Sequence, residues 1–291
     1  MFNMFKNWKK RGSVYAKLMR LDRPIGTLLL LWPTLWALVL GANGLPPWRT
    51  LLIFMLGTLL MRSAGCVIND YADRHIDGHV QRTKERPFAQ GSVKPNEALY
   101  LAASLALMAF SLTFYLPVAA LFWSIPAVVI AAIYPYTKRF FPLPQAVLGV
   151  AFSFGMPMAF AALEQPLDAR LWLIFAANLC WVIAYDTIYA LVDKPDDLKL
   201  GIRTSAITFG QHVQSAILMF HGLFLGLMLT LGVLGAFRWP YWLSLFLVAT
   251  LIAKQLQDIK SDNPQLCFQA FLHNNRIGCI VFLGLIGHYL L

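Results

Sequence analysis

Charge is scarce in this chain. Of its 291 residues only 13% are charged, and Asp and Glu together number 14 against 24 Lys and Arg. A soluble protein of this length needs more polar surface than that. With 58% hydrophobic residues and a mean hydropathy of +0.60, the composition is that of a polytopic membrane protein. Short alternating strands are also lacking; the apolar runs are continuous. That excludes a β-barrel and leaves helices, which satisfy their own backbone within lipid. Cysteine is sparse, and Cys66, Cys180, Cys267 and Cys279 have no metal-type spacing, so they read as small buried residues. The segment Met1 to Arg23 has no apolar core followed by a cleavage site. It reads as a basic cytoplasmic leader and not as a removable signal peptide. The net charge of +10 comes from cations placed between apolar runs. Such cations set topology and meet anionic lipid or diphosphate, so no nucleic acid is expected as a partner.

Nine apolar stretches stand out: Ile25–Leu40, Leu51–Ile68, Leu99–Leu116, Val118–Tyr134, Leu143–Leu163, Leu171–Val192, Ile217–Phe237, Trp239–Ala253 and Ile277–Leu291. A span takes about 17–25 residues, so the first, eighth and ninth must extend into their flanks. Cation-rich and cation-poor connections alternate. The leader is rich, the next connection holds Arg49, and the one after holds Arg74, Arg82, Lys84, Arg86 and Lys94. Pro117, the Lys138–Arg139 pair, Arg170, the Lys194–Arg203 group, Arg238 and the Lys254–Arg276 group continue the pattern. The positive-inside rule then predicts nine helices, with the N-terminus in the cytoplasm and the C-terminus outside. Two inside connections, Gly78–Ala98 and Asp193–Ala216, are long for structureless loops, and long loops are usually functional.

Both long connections follow acidic clusters. The second stretch ends in Asn69-Asp70-Tyr71-Ala72-Asp73-Arg74-His75-Ile76-Asp77. Asn69, Asp73 and Asp77 repeat every four residues, one helical face, with Asp70 beside them. The sixth ends in Asp186, Asp193, Asp196 and Asp197, with Pro195 placed to end or kink a helix. Asp186, Asp193 and Asp197 share a face if the helix continues. Such acids repel one another unless a cation sits among them. Mg²⁺ takes hard oxygens and shares its shell with substrate phosphates. His75 and His79, four apart, are a poorer case for a transition metal, since hard oxygens surround them. The two motifs correspond at an offset of 120: Asp73 with Asp193, Asp77 with Asp197, Arg74 with Lys194. A basic segment trails each, with Lys84 and Arg86 after the first and Lys199 and Arg203 after the second. This predicts a weak internal repeat whose cations grip diphosphate oxygens. A transporter is the rival class, but transporters place charged sites near the midplane, and these acids lie at one membrane face.

The residues NDYADRHIDGHVQRTKERP from Asn69 to Pro87, and DTIYALVDKPDDLKLGIRTS from Asp186 to Ser205, resemble the two aspartate motifs of the UbiA superfamily of membrane prenyltransferases. The stretch RLDRPIGTLLLLWPTLWAL from Arg20 to Leu38, with FLHNNRIG from Phe271 to Gly278, is most similar to the subgroup that prenylates 4-hydroxybenzoate for ubiquinone biosynthesis. One departure is Arg203, where that subgroup more usually has Lys, so the contact geometry there differs. The resemblance covers nearly the whole chain. It implies one all-α domain, residues 1–291, with nine helices around a central cavity under a cytoplasmic cap, in a bacterial inner membrane. It implies a Mg²⁺ cofactor, a polyprenyl diphosphate donor and 4-hydroxybenzoate as acceptor. The metal–diphosphate ligands fall on Asn69, Asp73, Asp77, Asp193 and Asp197. Arg74, Lys138 and Arg139 match positions tied to activity.

Within that reading, Asp186 is placed to orient or deprotonate the acceptor hydroxyl; its alternative is a packing carboxylate. Arg62, seven residues before Asn69, shares the motif face two turns deeper, and an intramembrane charge is functional by default. It is a candidate for the benzoate carboxylate, as are Arg20 and Arg23, whose alternative is contact with lipid headgroups. Tyr134, Tyr136, Tyr185 and Tyr189 are candidates for cation–π contact with an allyl cation or for the interfacial aromatic belt. His212, His221, His273 and His288 carry no readable role.

Overall fold

The computed structural model describes residues 11–75, 77–79, 83–261 and 263–291; Arg82 and the side chain of His79 lie outside them. The described residues form helices and no strand. We label the long helices α1 (Ile25–Ala42), α2 (Trp48–Ala72), α3 (Pro95–Thr113), α4 (Val118–Thr137), α5 (Pro144–Ser153), α6 (Gly155–Ala162), α7 (Ala169–Leu200), α8 (Val213–Leu234), α9 (Trp239–Asp258) and α10 (Pro264–Leu290). With α5 and α6 taken together, nine segments are long and apolar enough to cross a membrane. The chain is therefore a multi-pass membrane protein.

Local signals explain the boundaries. Proline occupies the start of α3, α5, α9 and α10, where its missing N–H costs nothing. Asp168 and Asn263 cap α7 and α10 by accepting from Arg170 N and Gln265 N. Asn43 and Gly201 end α1 and α7 in the left-handed region, at φ 50° and 66°. The short first, eighth and ninth stretches do extend into their flanks. The largest extension is in α10, which starts at Pro264, because Cys267, Ala270 and Asn274 continue its buried stripe through a polar stretch.

Three sequence expectations need correction. The first motif does not continue as α-helix: α2 ends at Ala72, Asp73 caps it, and Asp77 opens a 3₁₀ turn. The i, i+4 spacing survives, because Asp73 N–H still donates to Asn69 O and Asp77 N–H to Asp73 O. Pro195 does not end the sixth segment. The helix runs to Leu200, so the loop expected from Asp193 begins only at Gly201 and contains the short helix Ser205–Thr208. The fifth segment is broken at Phe154, since Pro157 cannot donate to Ser153 O. At the break Gly155 brings its backbone against Thr34 of α1, where a Cβ would meet the threonine side chain.

The helix order repeats. Shifting the bounds of α1 by 120 gives 145–162, against 144–162 for α5 with α6; the starts of α2 and α7 differ by 121, those of α3 and α8 by 118, and those of α4 and α9 by 121. Two runs of four spans are thus followed by α10. Four is even, so both runs enter the membrane in the same direction, and both aspartate motifs reach the same face. α1, α2, α4, α5, α6, α7 and α10 surround one cavity, to which α3 adds part of its inner face. No residue of α8 or α9 lines it; those helices back α7 and α10.

Candidate active site

The cavity has a volume of about 1050 Å³. Its mouth is built where α2, α4 and α7 end and α1, α5 and α10 begin. Every charged motif residue on its wall therefore arrives at one end of the bundle.

From α2, its cap and the 3₁₀ turn after it come Asn69, Asp70, Asp73 and Asp77, and from α7 come Asp186, Tyr189, Asp193 and Asp197; all eight line the cavity. Asp70, Asp73, Asp77 and Asp197 are buried. Such burial is tolerable because cations are interleaved. Arg20 donates to both oxygens of Asp70 at 2.8 and 2.9 Å. Arg86 joins Asp70 at 3.1 Å to Asp77 at 3.0 Å. Lys138 holds Asp73 Oδ2. The other Asp73 oxygen, Oδ1, is buried without a hydrogen-bond partner among the described residues. Burial pushes the Asp77 carboxyl up, and the opposing charge of Arg86 offsets part of that push.

This donor set fits a hard divalent cation. Its atoms are carboxylate and amide oxygens, and one buried carboxylate oxygen lacks any partner. Among the described residues no three acidic, His or Cys side chains converge closely enough to hold a metal alone. An ion shared with phosphate oxygens meets that limit, which is how Mg²⁺ is usually bound.

The expected cations divide into two groups. Arg20, Arg23, Arg62, Arg86, Lys138 and Arg203 line the cavity. Arg23 and Arg203 are exposed at its mouth, and Arg203 donates to Phe140 O at 2.6 Å. Arg74, Lys84, Arg139 and Lys199 are not on its wall. Arg74 stacks on Tyr71 at 4.4 Å and donates to Tyr71 O. Arg139 reaches Ala72 O at 2.6 Å, tying the end of α4 to the end of α2. Lys199, on the outer side of α7, lies 3.7 Å from Asp196. Lys84 is exposed. A helix end presents side chains in several directions, so spacing in sequence could not separate the two groups.

Arg62 is two turns below Asn69, as its spacing predicts. It makes no hydrogen bond and no ion pair among the described residues; its guanidinium rests 5.9 Å from the Phe152 ring and against Gly26, where a Cβ would come within 3.0 Å of Cζ. The motif acids are therefore not its partners. Tyr134 faces the cavity near Asp186, Arg62 and Tyr189, whereas Tyr136 is exposed.

Sequence reasoning missed several contributors. Asp70 was visible beside the motif, but its role between Arg20 and Arg86 needs the fold. Gln145 of α5 accepts from Ser205 N at 3.0 Å, anchoring the second basic segment to the opposite wall. Phe268 and Phe271 of α10 pack on Tyr189, at 6.3 and 4.6 Å between ring centroids. Only the FLHNNRIG resemblance, which begins at Phe271, pointed near them.

Comparison with known proteins agrees with this arrangement. A protein of Neisseria gonorrhoeae named 4-hydroxybenzoate octaprenyltransferase is 52% identical over 287 residues, 98% of this chain and 96% of that one. Two solved structures share the fold. A UbiA homolog from Aeropyrum pernix gives a TM-score of 0.79 at 24% identity, over 89% of this chain and 97% of that one. A UbiA homolog from Archaeoglobus fulgidus, bound to GPP and Mg²⁺, gives 0.73 at 15% identity, over 94% and 99%. The model of the UbiA prenyltransferase family matches residues 30–279, which includes both acidic motifs and at least part of every cavity-lining helix, and the chain belongs to that family.

Proposed function

We propose that this chain transfers a polyprenyl group from polyprenyl diphosphate to the ring carbon next to the hydroxyl of 4-hydroxybenzoate, in the service of ubiquinone biosynthesis. The observation that carries the reading is the meeting of two acidic motifs with Arg20, Arg23, Arg86, Lys138 and Arg203 at the mouth of one apolar cavity. The identity to relatives of that named activity supports it. The site faces the cytoplasm of a bacterial inner membrane, a placement supported by the charge alternation.

The diphosphate lies at the mouth, where Asn69, Asp73, Asp77, Asp193 and Asp197 would hold Mg²⁺ against it. Bound there, Mg²⁺ neutralises charge growing on the leaving group. Lys138, Arg86, Arg20 and Arg203 donate to the remaining diphosphate oxygens, exchanging some of their carboxylate contacts for phosphate ones. The allylic C–O bond breaks and its electron pair leaves with diphosphate. The apolar walls of α1, α2 and α5 keep water from the resulting allyl cation. Tyr134 and Tyr189 offer it ring faces. Arg62 binds the benzoate carboxylate. Asp186 accepts the phenol proton, which makes the adjacent ring carbon nucleophilic. That carbon forms the new C–C bond, and loss of its hydrogen as a proton restores the aromatic ring.

The test is direct assay of purified protein with labelled polyprenyl diphosphate and a panel of aromatic acceptors, with and without Mg²⁺. The expected product is 3-polyprenyl-4-hydroxybenzoate, formed only with the metal. Turnover of another acceptor in preference to 4-hydroxybenzoate would replace the acceptor assignment.

A further inference from the structure

Tyr185 is a buried phenol in the cavity wall. It is 1% exposed, lines the cavity, and its hydroxyl has no hydrogen-bond partner among the described residues. Buried polar groups are almost always satisfied, so an orphan hydroxyl on a cavity-lining residue points to a missing ligand. The ring is not free to turn away. It sits edge-on to Trp181 at 5.2 Å and beside Phe271 at 6.0 Å. Trp181 is itself fixed by donation from Nε1 to Asn274 Oδ1 at 2.9 Å. The hydroxyl is therefore held in position before any ligand arrives.

Its surroundings define what that ligand offers. Arg62, across the cavity on α2, and Asp186, the next residue on α7, are the charged groups close enough to act on it. Arg62 likewise lacks a hydrogen-bond or ion-pair partner among the described residues. Two unspent donors thus belong to residues that line one cavity from different helices. A carboxylate presents about four lone-pair directions, and a guanidinium fork takes at most two. A neutral phenol can take a third. It adds no charge that would draw the diphosphate down from the mouth of the cavity.

We infer that the Tyr185 hydroxyl donates a hydrogen bond to the carboxylate of the aromatic acceptor, sharing that carboxylate with Arg62 and fixing which end of the acceptor points inward. This inference rests on the acceptor class proposed above. The experiment is steady-state kinetics of Tyr185→Phe, which keeps the ring and its packing on Trp181 and Phe271 and removes only the hydroxyl. With 4-hydroxybenzoate as the varied substrate, KM is expected to rise about 10-fold, as for loss of one hydrogen bond to a charged group. The kcat and the KM for polyprenyl diphosphate stay at parent values. With 4-hydroxybenzamide in place of the acid, the difference between variant and parent shrinks to within about twofold. A fall in kcat at unchanged KM, an unchanged enzyme, or an equal penalty on acid and amide would overturn the assignment. A parent enzyme that turns over no acidic acceptor would overturn the functional reading instead, and this inference with it.

Discussion

At the scale of single residues, the site is a set of charges that need one another. Asp73 keeps one oxygen on Lys138 and leaves the other without a partner. Asp73→Asn or Asp193→Asn is expected to lower turnover by about 100-fold or more, since metal neutralisation of a leaving group contributes several kcal/mol. Thermal unfolding of Asp193→Asn in detergent should match the parent, because the metal serves the reaction and not the fold, whereas Asp73→Asn also leaves Lys138 without its buried carboxylate and should unfold at a lower temperature. Near-parent rates at saturating Mg²⁺ would remove the two-motif site. Arg62→Ala is expected to raise KM for 4-hydroxybenzoate about 10-fold or more, with little change for the diphosphate, and to erase the preference for the acid over its amide. A variant that still prefers the acid as strongly would move the carboxylate to Arg20 or Arg23. His221 makes the contrasting case. It is fully buried in α8, away from the cavity, with neither ring nitrogen hydrogen-bonded among the described residues. Replacing an unsatisfied polar group by an apolar one of similar size is neutral or stabilising. His221→Leu should therefore keep full activity and an unchanged or higher unfolding temperature, and a clear drop would reveal a partner for the ring. The acids and Arg62 were legible from spacing alone. The pairing of Asp70 with Arg20, and the turning of Arg74 and Arg139 away from the cavity, were not, because those outcomes depend on which residues the fold brings alongside.

At the scale of elements, apolar length and the alternation of cations were enough to find the nine spans, while breaks within them were not legible. Pro157 and Pro195 look alike in sequence, yet the first coincides with a break and the second lies inside a continuous helix. The difference lies in what packs alongside. The break at Phe154 lies beside the close approach of Gly155 to α1, whereas Pro195 is exposed. Close approach also governs α10. A Cβ on Gly278 would stand 2.6 Å from Trp32 Cγ and 2.9 Å from Trp32 Cβ, the root of a side chain that cannot swing aside. Small residues at such crossings let membrane helices approach, and packing is their main source of association. Gly278→Val should push α10 from α1 and break the bond from Trp36 Nε1 to Gly278 O, now 3.0 Å. The expected cost is about 1–3 kcal/mol or more, the range for overpacking, read as a lower midpoint of thermal unfolding in detergent. Gly57→Ala is the control, since nothing lies within 4 Å of its added Cβ, and it should leave the midpoint unchanged.

At the scale of the whole molecule, the repeat explains why a chain with so few acids can gather them. The motifs sit at the ends of α2 and α7, the second spans of two four-span runs. Four intervening spans return the chain to the same face with the same direction, so two copies of one local sequence confront each other across the cavity. An odd number would have put them on opposite sides of the membrane and left no shared site. The repeat therefore ties the site to the topology. If one motif faces the cytoplasm, both do, and the odd ninth segment, α10, leaves the C-terminus on the other side. Cysteine labelling in intact cells tests this in a variant whose four native cysteines are replaced. Ser92 is exposed in the connection after the first motif and makes no contact with the acids. Tyr115, 80% exposed in the α3–α4 connection, marks the opposite face. An impermeant maleimide is expected to label Tyr115→Cys and Leu291→Cys from outside. Ser92→Cys should react only after the membrane is permeabilised. Labelling of Ser92→Cys in intact cells would invert the whole scheme. Labelling of Ser92→Cys and Leu291→Cys together, with Tyr115→Cys protected, would instead mean that the number of crossings between the first motif and the C-terminus is even, and would break the pairing of the two runs.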